Sequence, residues 1–432
     1  MKNKFCLYLI LNSFLMSFEG DRHDFYLPNG LKVIIYEKHT HPTIAVNVAY
    51  DVGAHDDPIG QKGMAHVMAR LMEEGSKNYK RKEHLAIVEG TGGESGFSWW
   101  QLQDYTEFRN TSTSDNLELL LKLESYRMSS LFIDSESLKN AKFDAISKIE
   151  EDMQSSFWEV SNAVSSIYPD NHPYSFNSAG SVDDIATISI EDCQTSYAKY
   201  FTPNNAILVV VGNVDPLNSF NLITKHLGHI NSSESLPNNP NLMYEVENNN
   251  NINIFNVKNW PMSSYVEVFS VPNPRNKDSI VIDMMRSSFN LKSSYFHNFI
   301  ESNDNFTRSF ILFRQLLGNG YFGFVLESDT TATNFKKHKK TVNKFIKYLK
   351  KYGIAQSELD IAINKEMMQL YERNMYVGWT AVNLVRHEIL FGDYNTYFDT
   401  AELYKNITND DIKRVAKKYI TDGYKFALKP PK

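Results

Sequence analysis

The residues most able to do chemistry lie in the segment Gly63-Met64-Ala65-His66-Val67-Met68-Ala69-Arg70. A helix that reads His-x-x-Glu-His presents two imidazoles on one face, four residues apart, and holds Zn²⁺ with them. Its glutamate takes a proton from the metal-bound water and turns that water into a nucleophile. His66 stands at the first histidine position of such a helix, but Ala69 replaces the glutamate and Arg70 the second histidine. A methyl group accepts no proton, and a guanidinium stays charged and offers a metal no lone pair. Set against that pattern, the segment keeps one metal-binding side chain and neither the base nor the second ligand.

The elements around it follow from apolar spacing. Residues 31–36 and 44–52 alternate or run apolar and read as strands, with Asn29-Gly30 as a turn before them. Helices are expected at 63–72, at 117–131 with leucines at helical spacing, and at 139–153. Residues 336–351 are strongly basic, yet Val342, Phe345, Ile346 and Leu349 mark one apolar stripe, so an amphipathic helix with a solvated face is expected.

A repeat divides the chain. The stretch from Ser189 to Thr202 lies over that from Thr408 to Thr421 without a gap. Each has a Ser/Thr cap, an acid three residues on, a helix, Lys-Tyr, and then an apolar strand, at 206–211 and 426–428. The same order closing both halves favours duplication. Residues 231–252, rich in Asn, Ser, Pro and Glu, read as a linker between domains at 21–230 and 253–432. The strands and helices together give an α+β fold used twice.

Composition bounds the function. A net charge of −6 and a pI near 6.1 argue against a general nucleic-acid role. Lys2 and Lys4 precede an apolar run from Phe5 to Phe18, the pattern of a secretory signal over residues 1–20, with an uncleaved anchor as the alternative. The chain is therefore expected to be exported, periplasmic or secreted, with no membrane span once the signal is removed. Cys6 would leave with that signal. Cys193 would then stand alone, packed rather than reactive, with no disulfide framework.

The segment around His66 resembles the signature helix of the insulinase/pitrilysin metallopeptidases, Gly-x-Ala-His-x-x-Glu-His. Further landmarks resemble the family in its order. They include Asn29-Gly30-Leu31-Lys32-Val33, Gly92-Gly93 with Asp104-Tyr105-Thr106, His172-Pro173-Tyr174, and Thr202-Pro203-Asn204-Asn205. The resemblance implies a clam-shell of two homologous domains. It also implies a third metal ligand, a glutamate on a later helix, for which Glu150 is the best match and Glu151 its neighbour. The acidic partner usual in active members is Phe143 here. His66 and Glu150 are thus expected to be vestiges, and Arg70 to pair either with Glu73 or Glu74 on its own helix or with Glu150 in the space a metal would fill.

Departures continue in the substrate-strand region, where Glu94-Ser95-Gly96-Phe97-Ser98-Trp99-Trp100 follows Gly-Gly in place of the usual Asn-Ala. Trp99 and Trp100 would fill part of the cleft or cap the core. The second half keeps more. Phe313-Arg314-Gln315-Leu316-Leu317-Gly318-Asn319-Gly320-Tyr321 resembles the Leu-Arg-x-x-x-Gly-x-x-Tyr motif of the family's C-terminal domains. There the arginine and tyrosine reach toward the substrate backbone, and both can donate hydrogen bonds to peptide carbonyls or an oxyanion.

The resemblance implies a non-catalytic subunit of a heterodimeric zinc peptidase. It would bind peptide through Arg314 and Tyr321, carry no cofactor, and meet a homologous partner that holds zinc. On its own it is expected not to be an enzyme. The alternatives are a stand-alone metalloendopeptidase that adds His55 or Glu73 to His66 and Glu150, or a structural or peptide-binding protein of the same fold.

Overall fold

The structure is a computed structural model and describes residues 20–79, 83–97, 103–234, 236, 241–244, 251–257, 262–302, 306–328 and 334–430. The signal-like segment at 1–19, Cys6, Trp99 and Trp100 lie outside the described residues.

Two sheets organise the chain. The first has six strands in the order β1-β2-β6-β3-β5-β4: β1 (Arg22–Tyr26), β2 (Lys32–Glu37), β3 (Thr43–Tyr50), β4 (Glu94–Phe97), β5 (Thr106–Thr113) and β6 (Ala206–Gly212). The second has five in the order β7-β11-β8-β10-β9: β7 (Asn253–Asn256), β8 (Ser263–Val271), β9 (Phe306–Arg314), β10 (Gly320–Ser328) and β11 (Tyr424–Lys429). In the first sheet β2 and β6 are parallel and the next three pairings are antiparallel. In the second, β7 and β11 are parallel and the next three are again antiparallel. Apart from β1, the second sheet repeats the first strand for strand.

The helices repeat as well. After β3 come helices Met64–Glu74 and Glu83–Gly90, then β4 and β5, then Leu117–Ser129, Ser135–Asp152 and Ser156–Ser165. After β8 come Asp278–Phe289 and Tyr295–Ser302, then β9 and β10, then Phe335–Tyr352, Gln356–Met375 and Val377–Arg386. The helix just before the closing β6 or β11 strand of each half, Ile190–Tyr200 and Asn409–Tyr419, is started by the same device. Ser189 Oγ accepts from the Asp192 amide at 3.1 Å, and Thr408 Oγ1 from the Asp411 amide at 3.2 Å, while each aspartate accepts from its cap's own amide. The fold is α+β, two homologous domains set together as a clam-shell.

What joins them is an exchange of equivalent helices. Val377–Arg386, from the second half, lies on the first sheet, where Ala381, Leu384 and Val385 are buried with Ile34, Ala45, Ala49, Val209 and Val211. Ser156–Ser165, its counterpart in the first half, buries Val160, Ala163 and Val164 with Val266, Val268, Val325 and Phe426 of the second sheet. Each sheet thus has one face on its own half's core and the other on the partner half's helix. Among the described residues no helix is long and apolar enough to cross a membrane.

Candidate functional site

The site begins at the helix Met64–Glu74. Its first turn is fixed by Asp57, whose carboxylate accepts from the amides of Gly63 at 2.6 Å and Ala65 at 2.8 Å. Gly63 (φ +107°) and Gly180 (φ +90°) are pressed backbone to backbone, closer than any Cβ would permit. That contact brings the Ala179 carbonyl onto His66, whose Nδ1 lies 2.9 Å from it. A carbonyl only accepts, so Nδ1 carries the proton. His66 is fully buried, and burial pushes its pKa down to about 4, with Arg70 and Lys148 adding repulsion and the Ala179 bond opposing. It is neutral at pH 7.

Ala69 is fully buried one turn on. Arg70 donates to Glu73 Oε2 at 3.2 Å, which is the within-helix pairing, and burial raises the Glu73 pKa while Arg70 opposes that rise. The long helix Ser135–Asp152 packs on this one through Ala141, Ala145 and Ile149. Here one expectation is corrected. Glu150, placed by sequence as the vestigial ligand, is exposed, and Phe143 is exposed too. The residues of that helix that reach the neighbourhood are Asp144, which lines a pocket with Arg70 and Glu73, and Lys148, whose charge acts on His66. Lys148 is itself held by Asp152 at 2.8 Å and Glu151 at 3.3 Å.

This donor set does not fit zinc. A catalytic zinc takes three protein ligands and a water. Around His66 stand a methyl, a guanidinium and an ammonium, none of which donates a lone pair as found. His55 and Glu73, the substitute ligands considered above, are engaged elsewhere. His55 Nδ1 lies 3.0 Å from the Gln103 carbonyl and Nε2 3.1 Å from Asp56. Among the described residues no group of three or more His, Cys, Asp or Glu is arranged to hold a metal ion. Cys193 is buried, and burial pushes its thiol up to about 12.

The second constellation is on β9 and β10. Arg314 and Tyr321 are directly opposed in the antiparallel register, and their side chains hydrogen-bond. Burial raises the Tyr321 pKa, against the charge of Arg314. The loop between them is pinned by the first half. Asp104 Oδ2 accepts from the Leu317 amide at 3.2 Å, and Asp104 Oδ1 accepts from the Tyr174 hydroxyl at 2.6 Å. That hydroxyl accepts in turn from the Gly318 amide at 3.1 Å, and Tyr168 donates to the Asn319 carbonyl at 3.3 Å. Gly318 passes so close to the Leu242 carbonyl that only a residue without Cβ fits.

A cavity of about 290 Å³ opens between the two constellations, lined by Lys148, Asp152, Tyr168, Ala179, Arg314 and Tyr321 among others. The structure therefore brings the edge of the degenerate helix site and the Arg314–Tyr321 pair to one space. Sequence reasoning did not assign roles to Asp104, Tyr168, Tyr174 or Lys148. Asp104 and Tyr174 stood out only as landmarks, and Lys148 gave no signal apart from its helix.

β4 is an edge strand that pairs with β5 through Glu94–Phe97, so a peptide added there would become a seventh strand.

Comparison with known proteins agrees with this architecture. The family "Insulinase (Peptidase family M16)" matches residues 32–167, and "Peptidase M16 inactive domain" matches residues 187–366. The zinc protease PqqE of Helicobacter pylori is 26% identical over 416 residues, covering 92% of this chain and 89% of that protein. The crystal structure of a protease from Helicobacter pylori superposes with a TM-score of 0.86 at 23% identity, over 95% of this chain and 99% of that one. The periplasmic protease PqqL of Escherichia coli superposes with a TM-score of 0.74 at 16% identity, over 95% of this chain but 48% of that one, so this chain spans about half of it. With both family matches lying in order on a duplicated α+β frame, the chain belongs to the M16, or insulinase, family of peptidases.

Proposed function

We propose that this chain is the non-catalytic subunit of a two-chain M16 peptidase. It binds peptide through Arg314 and Tyr321, and a homologous partner with an intact His-x-x-Glu-His helix supplies zinc and base. One observation carries the reading: Arg314 and Tyr321 stand opposed on neighbouring strands beside a cavity, while Ala69 and Arg70 replace the chemistry of the metal helix. Support comes from PqqL of Escherichia coli, which holds about twice the length of chain that this fold occupies. A second such chain would make up the difference. That relative is described as periplasmic, which accords with reading residues 1–20 as an export signal.

The test is peptidase activity of this chain co-purified with a homologous chain that carries the intact motif. Arg314→Ala is expected to lower kcat on the order of a hundredfold, the scale of a lost oxyanion donor, while complex formation is unchanged. Undiminished activity would refute the role of Arg314. Elemental analysis of this chain alone should find no zinc, and one zinc per chain would overturn the non-catalytic reading.

A further inference from the structure

The second domain carries a surface that the peptidase reading does not use. The helix Phe335–Tyr352 contains eight lysines and no Asp or Glu. Its apolar stripe, Val342, Phe345, Ile346 and Leu349, is buried. Lys336, Lys340, Lys344, Lys347 and Lys351 follow at steps of three and four residues, so they form one ridge on the opposite face, with Lys337 beside it, and all six are exposed. The helix Asn409–Tyr419 packs alongside and adds Lys413, Arg414, Lys417 and Lys418, of which Lys413 pairs with Asp410 and Arg414 with Asp411, so its net contribution is about two positive charges. At the meeting of the two helices Lys351 and these four cations share an open groove with Asp410. Buried Asp278 fixes the second helix from beneath, accepting from Arg414 at 2.6 Å and Lys418 at 3.1 Å. A chain of net charge −6 thus concentrates positive charge on one face and leaves the remainder strongly acidic.

We infer that this face docks on an anionic lipid surface. The cations are nearly all lysine, which is depleted at protein–protein interfaces, and no apolar anchor interrupts the ridge. Long lysine stems suit a headgroup layer, where the charge stays wet and the methylenes lie along the interface. One end of the ridge carries a cluster of tyrosine rings. The ring centroid of Tyr295 lies 4.2 Å from that of Tyr348, and that of Tyr348 lies 5.0 Å from that of Tyr352, with Tyr295 and Tyr352 both exposed. Tyrosine at the border of a basic face fits the depth of lipid headgroups. The acidic remainder is repelled by the same membrane, so the charge asymmetry fixes which side faces it.

The test is flotation of the full chain with phosphatidylcholine vesicles, with and without phosphatidylglycerol, compared at low salt and at about 0.15 M, where the Debye length is about 8 Å. Binding is expected only with phosphatidylglycerol and should weaken with salt. The exposed-residue variant Lys340→Glu/Lys344→Glu/Lys347→Glu should bind at least about tenfold more weakly. Lys77→Glu/Lys139→Glu/Lys199→Glu makes the same change in net charge on exposed sites of the first half and should bind as wild type. Circular dichroism checks that both variants fold. Equal loss in the two variants, or binding that ignores phosphatidylglycerol, overturns the inference. So does tighter binding to duplex DNA than to the anionic vesicles, which would assign the face to nucleic acid.

Discussion

The carboxylate of Asp104 accepts a hydrogen bond from the amide of Leu317, 213 residues further along the chain. Through it the first domain holds the loop that spaces Arg314 from Tyr321. Tyr174 completes the hold by donating to Asp104 and accepting from Gly318. Tyr174→Phe removes both bonds and leaves a buried carboxylate and amide short of a partner. We expect a loss of about 1–3 kcal/mol, read from urea unfolding midpoints. Peptide affinity should fall with it, because the Arg314–Tyr321 pair would no longer be positioned. Unchanged stability would show that the loop is held by its own strands.

Lys148 makes a prediction about restoring the metal site. Ala69→Glu/Arg70→His returns the base and second imidazole, but an ammonium still faces His66. The double variant should bind zinc weakly, and adding Lys148→Glu should tighten binding by about tenfold or more, since it supplies the third ligand and removes a charge. Zinc titration of both variants decides this. If the double variant already binds as tightly as the triple, Glu150 reaches the site after all.

Acid should destabilise the fold through His66. Its folded pKa of about 4 lies below the ordinary value of 6.5, because burial penalises the imidazolium. Between those values the unfolded chain takes up a proton that the folded chain refuses, so stability is present above pH 6.5 and is lost as pH falls toward 4. The loss is about 3 kcal/mol at most from this residue. His84 and His387, each pushed down to about 3, act in the same sense. Unfolding midpoints between pH 7 and pH 4 should fall less steeply for His66→Gln than for wild type. Identical slopes would assign the acid sensitivity elsewhere.

The exchanged helices pack each half onto the other's sheet, so the two halves are expected to unfold together. Leu384→Ala empties a buried site on the first sheet with a residue of the second half, at a cost of about 2–5 kcal/mol. Calorimetry should still show a single transition, shifted down as a whole. Two separated transitions in the variant would mean that the domains unfold independently.

Much of this frame was legible in residue patterns. The caps Ser189 and Thr408 fixed two helix starts because an oxygen acceptor followed three residues later by an acid satisfies the free amides of a first turn. The lysine helix was readable because its buried residues keep the helical period. Glu150 was misplaced for the converse reason. The helix Ser135–Asp152 faces its neighbour with Ala141, Ala145 and Ile149, a stripe too small to stand out, and a shift of two residues turns a side chain to the far side of a helix. The exchange was invisible because an apolar face on Ser156–Ser165 says that it is covered, not by which sheet. The hold on the Arg314 loop depends on contacts between distant segments, which local pattern does not encode.

Duplication followed by helix exchange has a price in evolvability. Once Val377–Arg386 covers the first sheet and Ser156–Ser165 the second, neither copy can drift alone: a larger residue at Ala381 must be answered near Val209, and one at Ala163 near Val268. Positions off that shared cover, such as Ala69 and Arg70, are left freer to vary, while the mutual cover keeps the pair a single heritable module.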